Sequence, residues 1–386
     1  MKQKILAVIF VVLGLGLVSL AFKLSIPLPK NLLSPLSEKN TGPYSPKQVI
    51  GFFPYWNLDK LDTSDFSALT EVYYFALDIN GNGSFNGNDP GWPKLNSSEF
   101  ERLKEKVKKA NLRFGLTIVN LSADSIAQNV NHPEAQDFLV KSTVDVMKQK
   151  GFTDLNIDLE YEGLPDSQTT KNFTSLVSKL TQAVKKEIPD SRVSIDSFAD
   201  AVIKPRVLNV NAVGNLVDNV IIMAYDFHRL NSVNAGPVAP LFDPGQANYD
   251  VSRSVTDYLK NVPAQKLILG VPIYGYEWPT ENSSKGSFVI GSFRPAEISS
   301  YHRSLQTAKD NNVSVNFDEV TKSAWFSYYD KDSYSWRQVW FEDERSLGLK
   351  FDLVNQANLS GIGVWALGYD GDAAAPLWQT VKEKLR

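Results

Sequence analysis

Acidic and amide side chains recur at every second position of one short segment, between Asp154 and Glu160. They are Asp154, Asn156, Asp158 and Glu160, and they alternate with Leu155, Ile157 and Leu159. Because successive side chains of a β-strand point to opposite faces, this spacing predicts a strand with one polar face and one aliphatic face. Neighbouring carboxylates raise one another's pKa values, so Glu160 is a candidate general acid near neutral pH. The pattern therefore favours acid–base chemistry.

A structural explanation of the same acids is that they form ion pairs inside the fold. Buried negative charges on one strand would cost several kcal/mol each without partners. The neighbouring predicted strands offer Arg113 and Arg192, but only at their starts. The functional interpretation is therefore preferred.

Short runs of Val, Ile, Phe and Tyr alternate with longer helical patterns, which is typical of βαβ units on a parallel sheet. Eight runs are predicted as strands: Val49 to Tyr55, Val72 to Leu77, Arg113 to Val119, Asp154 to Glu160, Val193 to Phe198, Val217 to Tyr225, Leu267 to Tyr274 and Ile362 to Leu367. Eight such units predict an α/β fold, a (β/α)8 TIM barrel whose active-site mouth lies at the C-terminal ends of the strands.

The alternation stops between Gly275 and Leu347. Within this stretch, Ala324 to Asp330 and Tyr334 to Glu342 predict a β-hairpin. A small α+β insertion between strands 7 and 8, at approximately residues 276–346, is therefore expected on the barrel.

Four motifs resemble those of the family 18 glycoside hydrolases, the chitinase family, and they occur in the family's order. They are the predicted fourth strand, similar to D-x-x-D-x-D-x-E, then Met223-Ala224-Tyr225-Asp226, Gly270-Val271-Pro272-Ile273-Tyr274-Gly275 and Gly361-Ile362-Gly363-Val364-Trp365. The similarity covers roughly residues 48–386. Trp340-Phe341-Glu342-Asp343, followed by Ser346 and Lys350, is most similar to members from bacterial envelopes and spores that act on peptidoglycan.

The resemblance implies a substrate-assisted reaction, in which the acetamido oxygen of the sugar attacks the anomeric carbon. Glu160 would protonate the leaving oxygen, Asp158 would hold the acetamido N–H, and Tyr225 would bond the acetamido oxygen. Trp365 would form the floor beneath the sugar, and Asp226 and Tyr274 would border the same subsite. The implied substrate is a polysaccharide or oligosaccharide with β-linked N-acetylglucosamine, either peptidoglycan or chitin.

Tyr55 and Trp56 stand at the C-terminal end of the first predicted strand, where aromatic rings could stack on sugars. They are further candidate substrate-binding residues, whereas the aromatic residues of the predicted hairpin are more simply explained by packing within it.

Thr153 and Asn156 depart from the family motif, since each stands where the family has an aspartate. Our hypothesis is that Asn156 donates a hydrogen bond to Asp158, while Asp154 restores part of the missing charge. The departures also keep open a catalytically inactive, lectin-like member of the family. A further alternative is an ordinary glycosidase with Glu160 as acid and Asp226 as nucleophile, which requires carboxyl groups about 5 to 5.5 Å apart.

The N-terminal segment has the layout of an export signal. Lysines precede and follow an apolar run from Ile5 to Phe22, so residues 1–23 are predicted to be a signal peptide or a membrane anchor. Cleavage after Ala21 remains open. Residues 24–47 are rich in proline and predict a linker, which leaves residues 48–386 as the catalytic barrel. The protein is expected to be extracytoplasmic, either secreted or tethered to the membrane by this segment.

Composition argues against several other classes of protein. A net charge of -3 provides no basic field for nucleic acid. The chain has no cysteine, and its histidines, His132, His228 and His302, are too widely spaced for a metal motif. No metal and no cofactor are therefore expected, and the chain is expected to act as a monomer.

Overall fold

The computed structural model describes residues 46–243, 249–372 and 374–386. The predicted signal or anchor and nearly all of the predicted linker lie outside these residues. Within the described ranges, no helix is both long and apolar enough to cross a membrane.

The strands of the described residues form two sheets. In chain order they are β1 (Gln48–Pro54), β2 (Glu71–Asp78), β3 (Arg113–Asn120), β4 (Asp154–Leu159), β5 (Val193–Phe198), β6 (Asn219–Met223), β7 (Leu267–Pro272), β8 (Tyr274–Thr280), β9 (Glu297–Ser300), β10 (Asn316–Asp318), β11 (Ser323–Asp330), β12 (Ser335–Phe341) and β13 (Gly361–Trp365). β1 to β7 and β13 close into a parallel barrel in the order β1-β13-β7-β6-β5-β4-β3-β2. The predicted (β/α)8 barrel is thus confirmed.

Helices follow most of the barrel strands and cover the outside of the barrel. In the described residues they are α1 (Gly91–Lys94), α2 (Ser98–Lys109), α3 (Ala123–Asn131), α4 (Pro133–Lys150), α5 (Ser167–Glu187), α6 (Val210–Gly214), α7 (Val251–Tyr258), α8 (Tyr301–Asp310), α9 (Glu344–Gln356) and α10 (Ala375–Leu385), with 3-10 helices at Tyr55–Lys60 and Ala264–Lys266.

The two helices that flank β4 begin and end for identifiable reasons. Gly151 adopts φ 80°, a left-handed conformation that costs glycine little, and it ends α4 three residues before β4. Asp166 caps α5 by accepting hydrogen bonds from the backbone N–H groups of Gln168 and Thr169 at 2.8 Å. These two caps fix the ends of the helices on either side of β4, while the parallel pairing of the barrel strands directs its C-terminal end to the mouth of the barrel.

The second sheet is antiparallel, with the order β10-β11-β12-β8-β9, and it lies in sequence between β7 and β13. β11 and β12 form the predicted hairpin, in which Asp330 pairs with Ser335. The sheet begins at Tyr274 rather than near residue 276, so the prediction of one continuous strand from Leu267 to Tyr274 is wrong. Pro272 is the last residue of β7, and β8 begins two residues later at Tyr274.

The sixth predicted strand is also shorter than expected. β6 ends at Met223, and the backbone N–H of Ala224 donates to Ile222 in a turn. Tyr225 and Asp226 therefore lie on the loop that follows β6 and not on the strand itself.

Candidate active site

A cavity of about 210 Å³ opens at the C-terminal ends of the barrel strands. We call it the mouth cavity, and its lining residues are Phe52, Phe75, Asp158, Glu160, Asp196, Phe198, Met223, Tyr225, Asp226, Arg229, Tyr274 and Trp365. Six of the nine residues predicted from the sequence line it together. The three that do not are Asn156, Tyr55 and Trp56.

At the opposite, N-terminal end of the barrel, Asp154 has a structural role. It is fully buried, the Nε atom of Arg113 donates to its Oδ2 at 2.7 Å, and the backbone N–H of Arg192 donates to its Oδ1 at 2.7 Å. The Arg192 side chain forms an ion pair with Glu71. Both arginines thus reach buried carboxylates from the strand starts, and the structural explanation rejected on sequence grounds is correct for Asp154.

Asn156 lies two residues further along β4 than Asp154, and it belongs to a series of hydrogen bonds between the side chains of β4 and β5. The Oγ atom of Ser194 donates to Asn156 Oδ1 at 2.7 Å, and Asn156 Nδ2 donates to Asp196 Oδ2 at 2.8 Å. The hypothesis that Asn156 donates to Asp158 is therefore wrong. Besides burial, the charges that raise the pKa of Asp158 are those of Asp196 and Glu160. The hypothesis that Asp154 restores part of the missing charge is therefore wrong.

Asp158 lies near the C-terminal end of β4 and Glu160 directly follows the strand, and both have raised pKa values. Burial, followed by the charges of Asp196 and Glu160, raises the pKa of Asp158 well above its usual range. Burial raises the pKa of Glu160 to about 7, with Arg229 opposing and Glu162 and Asp226 adding to the shift. Glu160 thus retains a proton in a substantial fraction of molecules at neutral pH, as general acid catalysis requires.

Tyr225 faces the same acids from the loop after β6. Burial, with further contributions from the charges of Asp196 and Asp158, raises the pKa of its hydroxyl well above the ordinary value. The phenol therefore stays protonated at physiological pH and is a hydrogen-bond donor to whatever the cavity holds.

Asp226 is held in an unusual conformation by two tyrosines. Its φ of 60° lies in the left-handed region, which aspartate tolerates better than most residues. The hydroxyls of Tyr274 and Tyr276 both donate to its Oδ1, the latter at 2.8 Å. One oxygen of this carboxylate is thus engaged by two phenols.

Aromatic rings form the remaining wall of the mouth cavity. The Trp365 ring lies 4.5 Å from the Phe75 ring and 6.2 Å from the Phe52 ring, centroid to centroid. Trp56 is 46% exposed and stands on the rim, 6.3 Å from Trp365. The Tyr55 ring packs edge-on against Trp56 and beside Gly91 of α1. Tyr55 is not among the residues that line the mouth cavity, and its contact with substrate stays a prediction.

Sequence reasoning missed several lining residues. Asp196 carries the most chemistry, and its signal was present, because Ser194, Asp196 and Phe198 alternate along β5 as the polar residues do along β4. Arg229 lies in the loop after β6, where no local periodicity could have pointed to it. Phe52, Phe75 and Met223 lie within predicted strands, but the strand predictions did not show that these three side chains point into the mouth cavity.

The described residues contain no group of three or more His, Asp or Glu side chains placed to hold a metal ion. A carboxyl group with a pKa of about 7, a phenol donor, buried acids and an apolar wall can protonate a leaving group and stabilise positive charge.

Comparison with known proteins identifies relatives of this arrangement. The family model of the glycosyl hydrolases family 18 matches residues 48–370. The cortical fragment-lytic enzyme of Bacillus subtilis (strain 168) is 26% identical over 272 residues, which are 69% of this chain and 59% of the relative, so the chain spans less than two thirds of that protein. The di-N-acetylchitobiase of Mus musculus is 28% identical over 289 residues, 69% of this chain and 77% of the relative.

A chitinase from Cycas revoluta, solved in complex with (GlcNAc)3, has the same fold. It superposes with a TM-score of 0.75 at 22% identity and covers 88% of this chain and 100% of its own.

Proposed function

Because this chain belongs to the glycosyl hydrolases family 18, we propose that it is a retaining hydrolase of glycans containing β-linked N-acetylglucosamine. Glu160 would act as general acid and base, and the substrate's own acetamido group would act as the nucleophile. The observation that carries the proposal is the convergence of Glu160, Asp158 and Tyr225 in one cavity, with the pKa of Glu160 at about 7.

In the first step, Glu160 donates its proton to the glycosidic oxygen. The bond between that oxygen and the anomeric carbon breaks, while the acetamido oxygen forms a new bond to the same carbon and gives an oxazolinium ion. Asp158 accepts the acetamido N–H and stabilises the positive charge, and the Tyr225 hydroxyl donates to the acetamido oxygen and orients it for attack.

In the second step, Glu160, now a carboxylate, removes a proton from water. The water oxygen attacks the anomeric carbon from the side that the leaving group vacated, and the oxazolinium ring opens. Two inversions at one carbon leave the β configuration unchanged, and Glu160 regains its proton.

The apolar wall of the mouth cavity fits one face of a sugar ring. Trp365 is packed between Phe52 and Phe75, so its ring is fixed before a ligand enters. Trp56 extends the aromatic surface on the rim and would contact a neighbouring sugar. The presence of all three acting side chains in one cavity gives no reason to prefer the lectin-like alternative.

The substrate class follows from the relatives by analogy. One is named as a cortical fragment-lytic enzyme and another as a di-N-acetylchitobiase, so both peptidoglycan and chitin fragments are included in the proposal. Both polymers occur outside the cytoplasm. The lysine-flanked apolar run from Ile5 to Phe22 supports an extracytoplasmic location, which cell fractionation tests directly.

The test is hydrolysis of purified peptidoglycan and of chitin oligosaccharides by the protein, with products identified by mass spectrometry and their anomeric form by NMR. We expect β products, and we expect Glu160→Gln to lower kcat by roughly 100- to 10,000-fold, since the amide cannot donate the proton.

Glu134→Gln is the matched control. Glu134 is exposed at the start of α4 and does not line the mouth cavity, so its substitution should leave the rate unchanged. Substantial cleavage by Glu160→Gln, or α products from the wild type, would refute the proposed mechanism.

A further inference from the structure

Asp158 and Asp196 occupy neighbouring positions on adjacent strands. In the register of β4 and β5, Asn156 pairs with Ser194 and Ile157 with Ile195, so Asp158 and Asp196 are the next pair along. Paired strands lie about 4.8 Å apart, and both side chains line the mouth cavity. The two carboxyl groups are therefore close neighbours that face the same space.

Neither carboxyl group has a cation beside it. Among the ion pairs of the described residues, none includes Asp158 or Asp196, in contrast to Asp154 on the same strand. Both residues are buried, and each keeps one oxygen, Oδ1, without a hydrogen-bond partner. The ionisable groups that act on the pair are Glu160, directly after β4, and Tyr225 of the loop after β6, and neither brings a positive charge. Asp226 and Arg229 also line the mouth cavity, but the Arg229 guanidinium forms its ion pair with Glu162 and not with either member of the pair.

Two unpaired negative charges at this spacing and depth are unfavourable, because each loses its hydration and repels the other. A pair of carboxyl groups in such a place retains one proton between them. In agreement, burial raises the pKa of Asp196 to about 8, with Glu160 adding to the shift and the bond from Asn156 opposing it.

The amide of Asn156 determines how Asp196 is oriented. Ser194 donates to Asn156 Oδ1, so the Nδ2 group is directed at Asp196 Oδ2. With Oδ2 accepting this bond, the oxygen of Asp196 left to carry a proton is Oδ1. Asp158 likewise has its Oδ1 without a partner.

We infer that Asp196 and Asp158 share a single proton, which rests on Asp196 Oδ1 whenever Asp158 is anionic and accepts the acetamido N–H. The proton passes from Asp158 to Asp196, and no other bond changes. Asp196 acts through Asp158, so it is a positioning residue. The catalytic part of this inference rests on the proposed function, whereas the shared proton does not.

The first test titrates the carboxyl carbons of Asp158 and Asp196 by NMR, in protein labelled with ¹³C-aspartate. In the wild type, both resonances should show the same two titration steps, because the protons belong to the pair. In Asp196→Asn, Asp158 should titrate in one step at lower pH, because the neighbouring charge that raises its pKa is gone. Independent single steps in the wild type would overturn the inference, whether or not the protein hydrolyses any substrate.

The second test moves the carboxylate from β5 to β4. Asp196→Asn should lower kcat on the order of tenfold to a hundredfold, with KM changed less, because Asp158 is no longer held in the correct protonation state. The double variant Asn156→Asp with Asp196→Asn places a carboxylate on the side chain that contacts position 196, since Asn156 Nδ2 lies 2.8 Å from Asp196 Oδ2, and it should recover most of the loss.

A merely structural role of Asp196 would give a different pattern. The second substitution would then add to the damage, and the pH profile of kcat would keep its shape in Asp196→Asn. Either result would overturn the inference, and thermal unfolding of each variant shows whether it is folded. A wild type that cleaves nothing would refute the proposed function, while the NMR titration would still decide the question of the shared proton.

Discussion

Arg229 brings a positive charge into a cavity whose other ionisable lining groups are acids and phenols. Its guanidinium is half-exposed, lies 3.5 Å from the exposed carboxylate of Glu162, and donates from Nε to the backbone oxygen of Asp226. Its charge lowers the pKa of Glu160 and so opposes the effect of burial. Arg229 thus helps to hold the pKa of Glu160 at about 7, where this residue can both donate and accept a proton.

Replacing Arg229 by glutamine should move the alkaline limb of the kcat/KM profile to higher pH. Without the cation, the pKa of Glu160 rises above about 7, so the acid stays protonated further into the alkaline range. The measurement is the pH dependence of hydrolysis of a neutral chitin oligosaccharide. Arg229→Lys keeps the charge and should leave the limb near its original position, and an alkaline limb that stays put or falls in Arg229→Gln would contradict this role.

At the scale of elements, β8 links the second sheet to the active site. Tyr274, Tyr276 and Trp278 share one face of the strand, as their two-residue spacing requires. The two tyrosines donate to Asp226, and Trp278 Nε1 donates to the backbone oxygen of Arg229 at 3.1 Å. The insertion therefore fixes the loop after β6, on which Tyr225 also lies.

The other face of β8 anchors the strand within its own sheet. Glu277 is fully buried, and Arg337 of β12, also fully buried, donates from Nε to its Oε1 at 2.8 Å. Arg294, Arg303 and the Tyr328 hydroxyl contact the same carboxylate. Because this charge is removed from water, the sheet depends on its partners being present.

Arg337→Met should therefore lower the free energy of unfolding by roughly 3 kcal/mol, the lower part of the range for breaking a buried ion pair, since two other arginines remain. Urea unfolding followed by fluorescence measures the change. Arg102→Met, which removes an exposed ion pair with Asp62, should cost less than about 1 kcal/mol. Equal losses in the two variants would show that burial of the Glu277 charge is not what makes its partners necessary.

At the scale of the whole molecule, the buried acidic residues at the two ends of the barrel differ in whether they form ion pairs. Asp154 and Glu71 at the N-terminal end are paired with arginines, whereas Asp158 and Asp196 at the mouth form no ion pair within the described residues. One end of β4 thus contributes to stability and the other to chemistry, as is usual for this barrel. The unpaired acids cost stability when they are charged, which is a known trade-off at active sites.

Glu160→Gln should be more stable than the wild type above pH 7, with the difference shrinking toward pH 4. The folded pKa of Glu160 is about 7, above that of an unfolded glutamate, so the native state binds more protons between these values. The contribution of Glu160 to stability is therefore fully present below the unfolded pKa and is lost as the pH rises through about 7. Glutamine stays neutral and avoids this loss.

Thermal unfolding of both proteins at pH 5 and pH 8.5 measures the effect. The gap in Tm should widen at the higher pH, and a gap that is constant or narrower would mean that Glu160 is not stabilised in its neutral form. Glu134→Gln serves as the control, because Glu134 is exposed.

Sequence by itself determined the features that depend on local spacing. The two-residue alternation from Asp154 to Glu160 gave β4 and its polar face, and similar runs gave the other barrel strands to within a few residues. Motif order pointed to Glu160, Asp158 and Tyr225, and all three line the mouth cavity. These features lie within short stretches of chain, where strand geometry alone directs the side chains.

Only the tertiary structure decided which side chains meet across strands. The bond from Asn156 joins residues forty positions apart, and the pairing of Arg113 with Asp154 spans forty-one. Both depend on barrel register and strand order, which local spacing does not specify. Likewise, β8 could not be recognised as a support for Asp226 until the loop after β6 and the second sheet were seen together. Long-range packing is the physical reason: it selects, among all the polar groups that the chain offers, the few that share one space.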